Sequence, residues 1–319
     1  EHAITEACFP IKLVYGHAYS LVDVDADYLF LPSVLTREVI APGQSESCAC
    51  PYIPASAYMV ANQLQLQGHQ FKPLLFPLNL MEQPMKRREL GEVAEQLGMP
   101  LKQVQQADAA GLAAQHEFYR AIRERGREVL DTLTPDQPAA VIVGRPYNTF
   151  DLHLCLDLPH KLRKLGVLPI PIDFLPLDTV DFSDTYDTMP WRNGQNILAA
   201  GRIIRADPRL QAIFVTSFNC GPDSFITSFF QTIMGDKPFL ELEIDDHTAD
   251  AGIVTRCEAF FDSLDMVRKS QQSADNHGLN GTNGTNGTNG TNGTQNGNGA
   301  MHGAAAHVNL PAAQEEVVC

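Results

Sequence analysis

Positive charge is scarce in this sequence. Lysine and arginine together number 23 against 38 aspartates and glutamates, a formal net charge of −15 at pH 7. A surface of that sign repels a phosphate backbone, so nucleic acid is not an expected partner. Long apolar runs are also lacking: Pro, Gly or charge interrupts each before the roughly 18 to 20 residues that a membrane-spanning helix requires. No membrane partner is expected. No basic n-region or apolar h-region follows Glu1 and no initiator Met precedes it, so the chain reads as a fragment or a processed chain without a secretory signal.

The usual nucleotide cradles are missing as well. No G-x-G-x-x-G follows a strand and no G-x-x-x-x-G-K-[ST] occurs, so any ATP is expected to bind another chain or domain. Hydrolase, zincin and thioredoxin readings lose support because G-x-S-x-G, H-E-x-x-H and Cys-x-x-Cys are all lacking. Cysteine itself is sparse. The seven residues Cys8, Cys48, Cys50, Cys155, Cys220, Cys257 and Cys319 are too few for a disulfide scaffold of this length, and an odd count leaves one unpaired. A reducing cytoplasm fits best, where clustered thiols more often serve metal or redox chemistry than bridges.

What is present is an ordinary globular composition, 44% hydrophobic over 319 residues, enough for one large core or two smaller ones. Strand-like runs at 27–32, 71–77, 139–144, 167–172, 211–217 and 238–244 alternate with helix-like runs at 11–22, 55–66, 86–97, 112–133, 152–165, 193–204, 224–234 and 253–269. That alternation predicts an α/β fold with parallel sheets. Two Rossmann- or flavodoxin-like lobes are expected, at 1–80 and 137–270, joined by a helical connector at 81–136. The first lobe has only two strands and is expected to lack an opening βα unit. Residues 280–294 are five copies of Asn-Gly-Thr, so 271–319 reads as a flexible, disordered linker or tail.

Three cysteines share a local grammar. Cys8 precedes Phe9-Pro10, Cys50 precedes Pro51, and Cys220 precedes Gly221-Pro222, each ahead of an apolar helix. Proline just inside a helix start predicts that all three thiols stand at helix N-termini, where unpaired N–H groups and the helix dipole favour thiolate. Thiolates bind iron and zinc, and a cubane held by only three of them keeps one iron open to chemistry. Taken singly, each cysteine reads as a small buried hydrophobe; three repeats on separate elements make a shared metal site an equal reading. Cys48, two residues before Cys50, is a further candidate ligand. Cys155 and Cys257 fall inside predicted helices and read as core or surface residues.

These motifs, with others, carry a resemblance. Cys8-Phe9-Pro10-Ile11-Lys12 with Gly16-His17, Cys50-Pro51, Gly144-Arg145-Pro146-Tyr147-Asn148, Asn219-Cys220-Gly221-Pro222-Asp223, and Asp246-His247-Thr248-Ala249-Asp250-Ala251-Gly252 followed by Arg256-Cys257-Glu258-Ala259-Phe260 resemble the 2-hydroxyacyl-CoA dehydratase and double-cubane cluster protein superfamily. They are similar in particular to the dehydratase-like region of large acyl-CoA dehydratase activase proteins. The resemblance implies Rossmann-like lobes around an iron–sulfur cluster, either 4Fe–4S or double-cubane 8Fe–9S, with Cys8, Cys50 and Cys220 in the ligand roles. It implies as partner an ATPase activator of the acetate kinase and actin-like type, and it allows a homodimer. The expected activity is that of a low-potential iron–sulfur reductase or dehydratase component reducing a small molecule or acyl-CoA. A non-catalytic electron-transfer or activator-docking domain is the alternative.

Several residues keep two readings. Arg145 and Asn148 either bind a substrate carboxylate or phosphate at a strand end, or form a Pro-fixed turn in which Asn148 caps a helix. His247 reads as a proton donor or as part of an exposed acidic turn. His17 is either a structural histidine or a neighbour of the cluster, and Lys12 offsets cluster charge or is solvated. Asp223 is expected to complement the helix dipole. A CoA substrate would need basic residues for its phosphates, and the acidic balance offers no obvious patch.

Overall fold

A computed structural model of the chain describes residues 7–66, 68, 71–79 and 83–279. The architecture is α/β with two parallel sheets. Two compact units are distinguished, Glu1–Phe260 and Phe261–Cys319. The first holds both sheets.

The sequence opens with α1 (Phe9–Leu21), β1 (Leu29–Thr36), α2 (Tyr52–Leu66) and β2 (Pro73–Asn79). Strands β1 and β2 pair in parallel, with Leu31 opposite Leu75. Ile11, Tyr15 and Ala18 from one face of α1 pack with Leu29 of β1 and Val60 and Leu64 of α2. Both strands run past the sequence limits of 27–32 and 71–77, straight through Pro32 and Pro77. Proline lacks a donor for a ladder but is tolerated on an edge, and in a sheet of two strands every strand is an edge.

Helices α3 (Gln83–Leu97) and α4 (Leu101–Thr132) follow. Phe76 of β2, Leu90, Val93 and Ala94 of α3 and Val104 of α4 share a cluster. The second helix has 32 residues, beginning well before the predicted residue 112. Its solvated faces hide the apolar period, so the sequence shows only its second half.

The second sheet is built from β3 (Ala139–Gly144), β4 (Leu168–Pro171), β5 (Leu210–Ser217) and β6 (Phe239–Ile244) in the order β4-β3-β5-β6, all parallel. Every residue of β3 and β5 is buried, as befits central strands covered on both faces. Each buried Val or Ile contributes roughly 1.5–3 kcal/mol by removal from water. The helices of this part of the chain are α5 (Pro146–Phe150), α6 (Leu158–Lys164), α7 (Arg192–Ala206), α8 (Gly221–Met234) and α9 (Asp250–Leu279). Ile197 and Leu198 of α7, Phe230 of α8 and Phe214 of β5 meet in the largest core.

Two predicted elements need correction. A single helix over 152–165 is instead a turn followed by the short α6. Leu156 and Asp157 adopt φ of 49° and 55°, and Pro159 supplies no N–H, so a helix can restart there but not pass through. At the other end α9 runs to Leu279, past the predicted helix end at 269. The Asn-Gly-Thr repeat and Cys319 lie outside the described residues.

Among the described residues no helix is long and apolar enough to cross a membrane.

Candidate functional site

From β3 the chain crosses to β4 on one side of the sheet and later returns to β5 on the other. The carboxyl ends of β3 and β5 therefore flank a topological switch point, where open α/β sheets place ligands. The loops leaving them carry Arg145, Tyr147 and Asn148 after β3, and Asn219 and Cys220 after β5. Asn219 takes the left-handed conformation, φ 61°, which turns the chain sharply into α8.

A cavity of about 350 Å³ opens at this edge, and Cys8, Cys50 and Cys220 all line it. Their local settings explain how. Cys8 is the N-cap of α1 and Cys220 the N-cap of α8, each followed by proline in the first turn. The Cys8 carbonyl accepts from Ile11 N at 3.0 Å and the Cys220 carbonyl from Ser224 N at 3.2 Å. Cys50 stands two residues ahead of α2, its carbonyl accepting from Ile53 N at 2.8 Å. All three side chains are buried, and Cys8, Cys50 and Cys220 are unbridged thiols.

Helix starts favour thiolates, but burial outweighs that for Cys8 and Cys220. Desolvation pushes Cys220 up to about 12, with Asp223 adding to the rise and Arg145 opposing it. Cys8 is also raised, again chiefly by burial, which the Ile11 N–H, and more weakly Arg145, counteract. An N–H group or a dipole end stabilises a thiolate less than removal from water destabilises it at such depth.

Arg145 stands behind the cavity, 1% exposed. Its Nε donates to Asp223 Oδ1 at 2.7 Å, and Thr216 Oγ1 donates to the other carboxylate oxygen at 2.9 Å. Burial works against the guanidinium charge, yet Asp223, with Tyr147 and Cys220, together outweigh it and hold Arg145 protonated. Among the described residues Arg145 Nη2 and Asn148 Nδ2 are buried donors without an acceptor. Neither residue lines the cavity; Asn148 Oδ1 instead accepts from Ser217 Oγ at 3.0 Å. Asp223 sits in the first turn of α8 as expected, but its main partner is the arginine, which sequence spacing did not show.

The remaining candidates fall in different places. His17 lines the same cavity from α1 and is solvent-exposed. Lys12 forms an ion pair with Asp246 at 3.4 Å. His247 is 88% exposed, in keeping with the acidic-turn reading. Cys48 lies in a backbone bridge with Thr36 and Trp191 and does not line the cavity. Cys155 and Cys257 are fully buried. Tyr147, Tyr52 and Asp151 also face the cavity; the Gly-Arg-Pro-Tyr-Asn turn pointed to the first, and no sequence signal marked the other two. Among the described residues, no three His, Cys, Asp or Glu side chains stand close enough to share a single metal ion.

The family model described as CoA enzyme activase uncharacterised domain matches residues 1–175, which include Cys8 and Cys50 but not Cys220. No curated protein and no solved structure matches the chain. Since the matched span is more than half of the 319 residues, the chain belongs to the CoA enzyme activase uncharacterised domain family and is related to the acyl-CoA activase proteins.

Proposed function

We propose that the chain is the iron–sulfur component of an ATP-dependent, low-potential reductase or dehydratase-type system. In this reading it takes electrons from an ATPase activator and delivers them to a small molecule or acyl-CoA. The observation that carries it is the convergence of Cys8, Cys50 and Cys220, from three separate helix starts, on one cavity. The donor set suits an anionic cluster. Arg145 places a buried positive charge with an unused N–H behind the thiols, and a Cβ built on Gly221 would meet nothing within 4 Å, so the bare backbone keeps space open there. A polynuclear cluster interposes metal and sulfide between its thiolates, so its ligands stand farther apart than donors around one ion. Among the described residues no three such donors are close enough for one ion, which disfavours a single zinc. When bound, such a cluster supplies one-electron chemistry; the apolar walls formed by Ile11, Val14, Ile53 and Leu154 would keep water from it.

A second reading, a non-catalytic electron-transfer or docking domain, draws on those same walls. Besides the thiols, the described lining offers few groups able to exchange protons with a substrate: His17, Tyr52, Ser56, Tyr147 and Asp151. Anaerobic reconstitution with iron and sulfide, followed by metal analysis and paramagnetic resonance, tests the first point. Stoichiometric iron and sulfide that fall to less than half in Cys220→Ser support it, and a folded chain that takes up no iron overturns it. Substrate reduction by the loaded chain with a chemical donor separates the enzyme from the relay.

A further inference from the structure

A second cavity, of about 370 Å³, lies away from the thiols, between the end of β1, helix α4 and the start of α7. Arg37 and Arg192 both line it. The backbone explains their meeting: Thr36 bridges to Cys48 and Cys48 to Trp191, so three strand-like segments lie side by side. Arg37 N donates to Ser47 O at 2.9 Å, and Arg192 N donates to Cys48 O at 3.1 Å. Two cations are thus fixed by the chain itself on one wall. Sequence reading could not see them as a patch, because they come from distant segments of an acidic chain.

Neither guanidinium makes an ion pair among the described residues. Arg192 is buried, 7% exposed, and its one side-chain hydrogen bond among the described residues runs from Nη1 to Asn196 Oδ1 at 2.7 Å. Arg37 Nη2 donates to the Tyr119 hydroxyl at 2.6 Å, which leaves that hydroxyl its own proton to donate. A guanidinium carries five N–H donors, so most of the donor capacity of this wall is unused. Burial, and next the neighbouring Arg37, bring Arg192 down to about 10, with Tyr119, Asp173 and Asp178 opposing, the net direction of a cation buried beside a like charge.

The cavity also contains acids, two of them already engaged and the third facing the arginines. Glu38 Oε2 lies 3.0 Å from His116 Nε2, and Asp178 pairs with Arg123. Asp173 is raised chiefly by burial, with Arg37 and Arg192 opposing, and it makes no ion pair among the described residues. Leu112, Leu175 and Leu177 supply an apolar floor.

We propose that this cavity binds a small organic anion whose carboxylate or phosphate head is clamped between Arg37 and Arg192, with its hydrocarbon body on the leucine floor. Two forked guanidiniums recognise oxyanions of either shape by paired hydrogen bonds. A buried cation that lacks an ion pair gains most from such a partner. The inference does not rest on the thiol cavity, whose residues play no part in it.

Calorimetric titration of the full chain with benzoate and with phenyl phosphate tests the site, against toluene sulfonamide as an uncharged control. Binding of at least one anion is expected, with affinity lowered tenfold or more in Arg192→Gln and in Arg37→Gln. The tighter of the two probes identifies the head group. Asp173→Asn should move affinity the other way, tightening it severalfold by removing a competing carboxylate, which a merely structural role for the arginines does not predict. Circular dichroism establishes that each variant is folded, and Arg37, the more exposed of the pair, provides the test if Arg192→Gln does not fold. Failure of both anions to bind the folded chain, or binding unchanged in a folded arginine variant, overturns the proposal.

Discussion

Replacing Arg145 by methionine should be among the most damaging single changes in the second sheet. Arg145 and Asp223 are each 1% exposed, and their 2.7 Å hydrogen bond joins the loop after β3 to the start of α8. Methionine keeps much of the side-chain volume but leaves the Asp223 carboxylate in the core with the neutral Thr216 hydroxyl, at 2.9 Å, and the Cys220 thiol as partners and no cation to offset its charge. Removing one member of a buried ion pair costs about 3–5 kcal/mol, because the surviving charge is uncompensated. For a folded unit of this size about 1 kcal/mol moves the melting temperature by about 2–4 °C, so a drop of roughly 6–20 °C is expected. Urea and thermal unfolding of wild type, Arg145→Met, Asp223→Leu and the double variant form a cycle. The double variant should recover most of the loss, since replacing a whole buried pair by apolar groups is often near neutral. A loss under about 1 kcal/mol in Arg145→Met would refute the reasoning, because it would mean that water or another group reaches the carboxylate.

Three further outcomes are expected. Cys48→Ala should retain iron after reconstitution while Cys50→Ala loses it, since only Cys50 lines the cavity; equal loss in both, by iron analysis per folded chain, contradicts the assignment. Gly126→Ala should destabilise by about 1–3 kcal/mol, a typical cost of overpacking, as a Cβ there would press on the Phe174 carbonyl and lie within 2.6 Å of its Cα; a chemical melt measures it. Hydrogen bonds from Arg209 hold Asp207 below the usual carboxylate range, so its stabilisation is complete above the unfolded value of about 3.9 and disappears as pH falls through the lower folded value. The urea midpoint of wild type should accordingly exceed that of Asp207→Asn at pH 7 and converge with it in strong acid.

Much of the fold was readable because the α/β pattern is carried by short, local signals. Ala139-Ala140-Val141-Ile142-Val143 and Gln211-Ala212-Ile213-Phe214-Val215 are continuous apolar runs, and both are wholly buried central strands. The ends of β1 and β2 were misjudged because proline normally stops a strand, and only the sheet's two-stranded form excuses it. The break at 156–157 was missed because positive φ at Leu156 and Asp157 leaves no composition signal when glycine is not used. Arg37 and Arg192 were invisible for a different reason: their proximity is a tertiary fact created by the Thr36–Cys48–Trp191 bridges.

The thiol cavity was legible in part, and the difference lies between local grammar and topology. Cysteine followed by proline marks a helix start wherever it occurs, but three such starts have no reason to meet unless the sheet brings them together. Two things do so here. Cys220 leaves the carboxyl end of β5 beside the loop from β3, which the strand order makes the switch point. Cys50 is carried by a segment whose backbone is tied on one side to β1, through Ala49 N to Leu35 O at 2.8 Å, and on the other to the start of α7, through Cys48 N to Pro190 O at 2.7 Å. Cys8 then reaches the same cavity through the packing of α1 against α2 over Ile11, Val60 and Leu64. The segment 47–50 thus belongs to both cavities at once, with Cys50 at one and the amide partners of Arg37 and Arg192 at the other. Any change that loosens it should disturb both, whereas a change confined to Arg145 or to Asp173 should disturb only one.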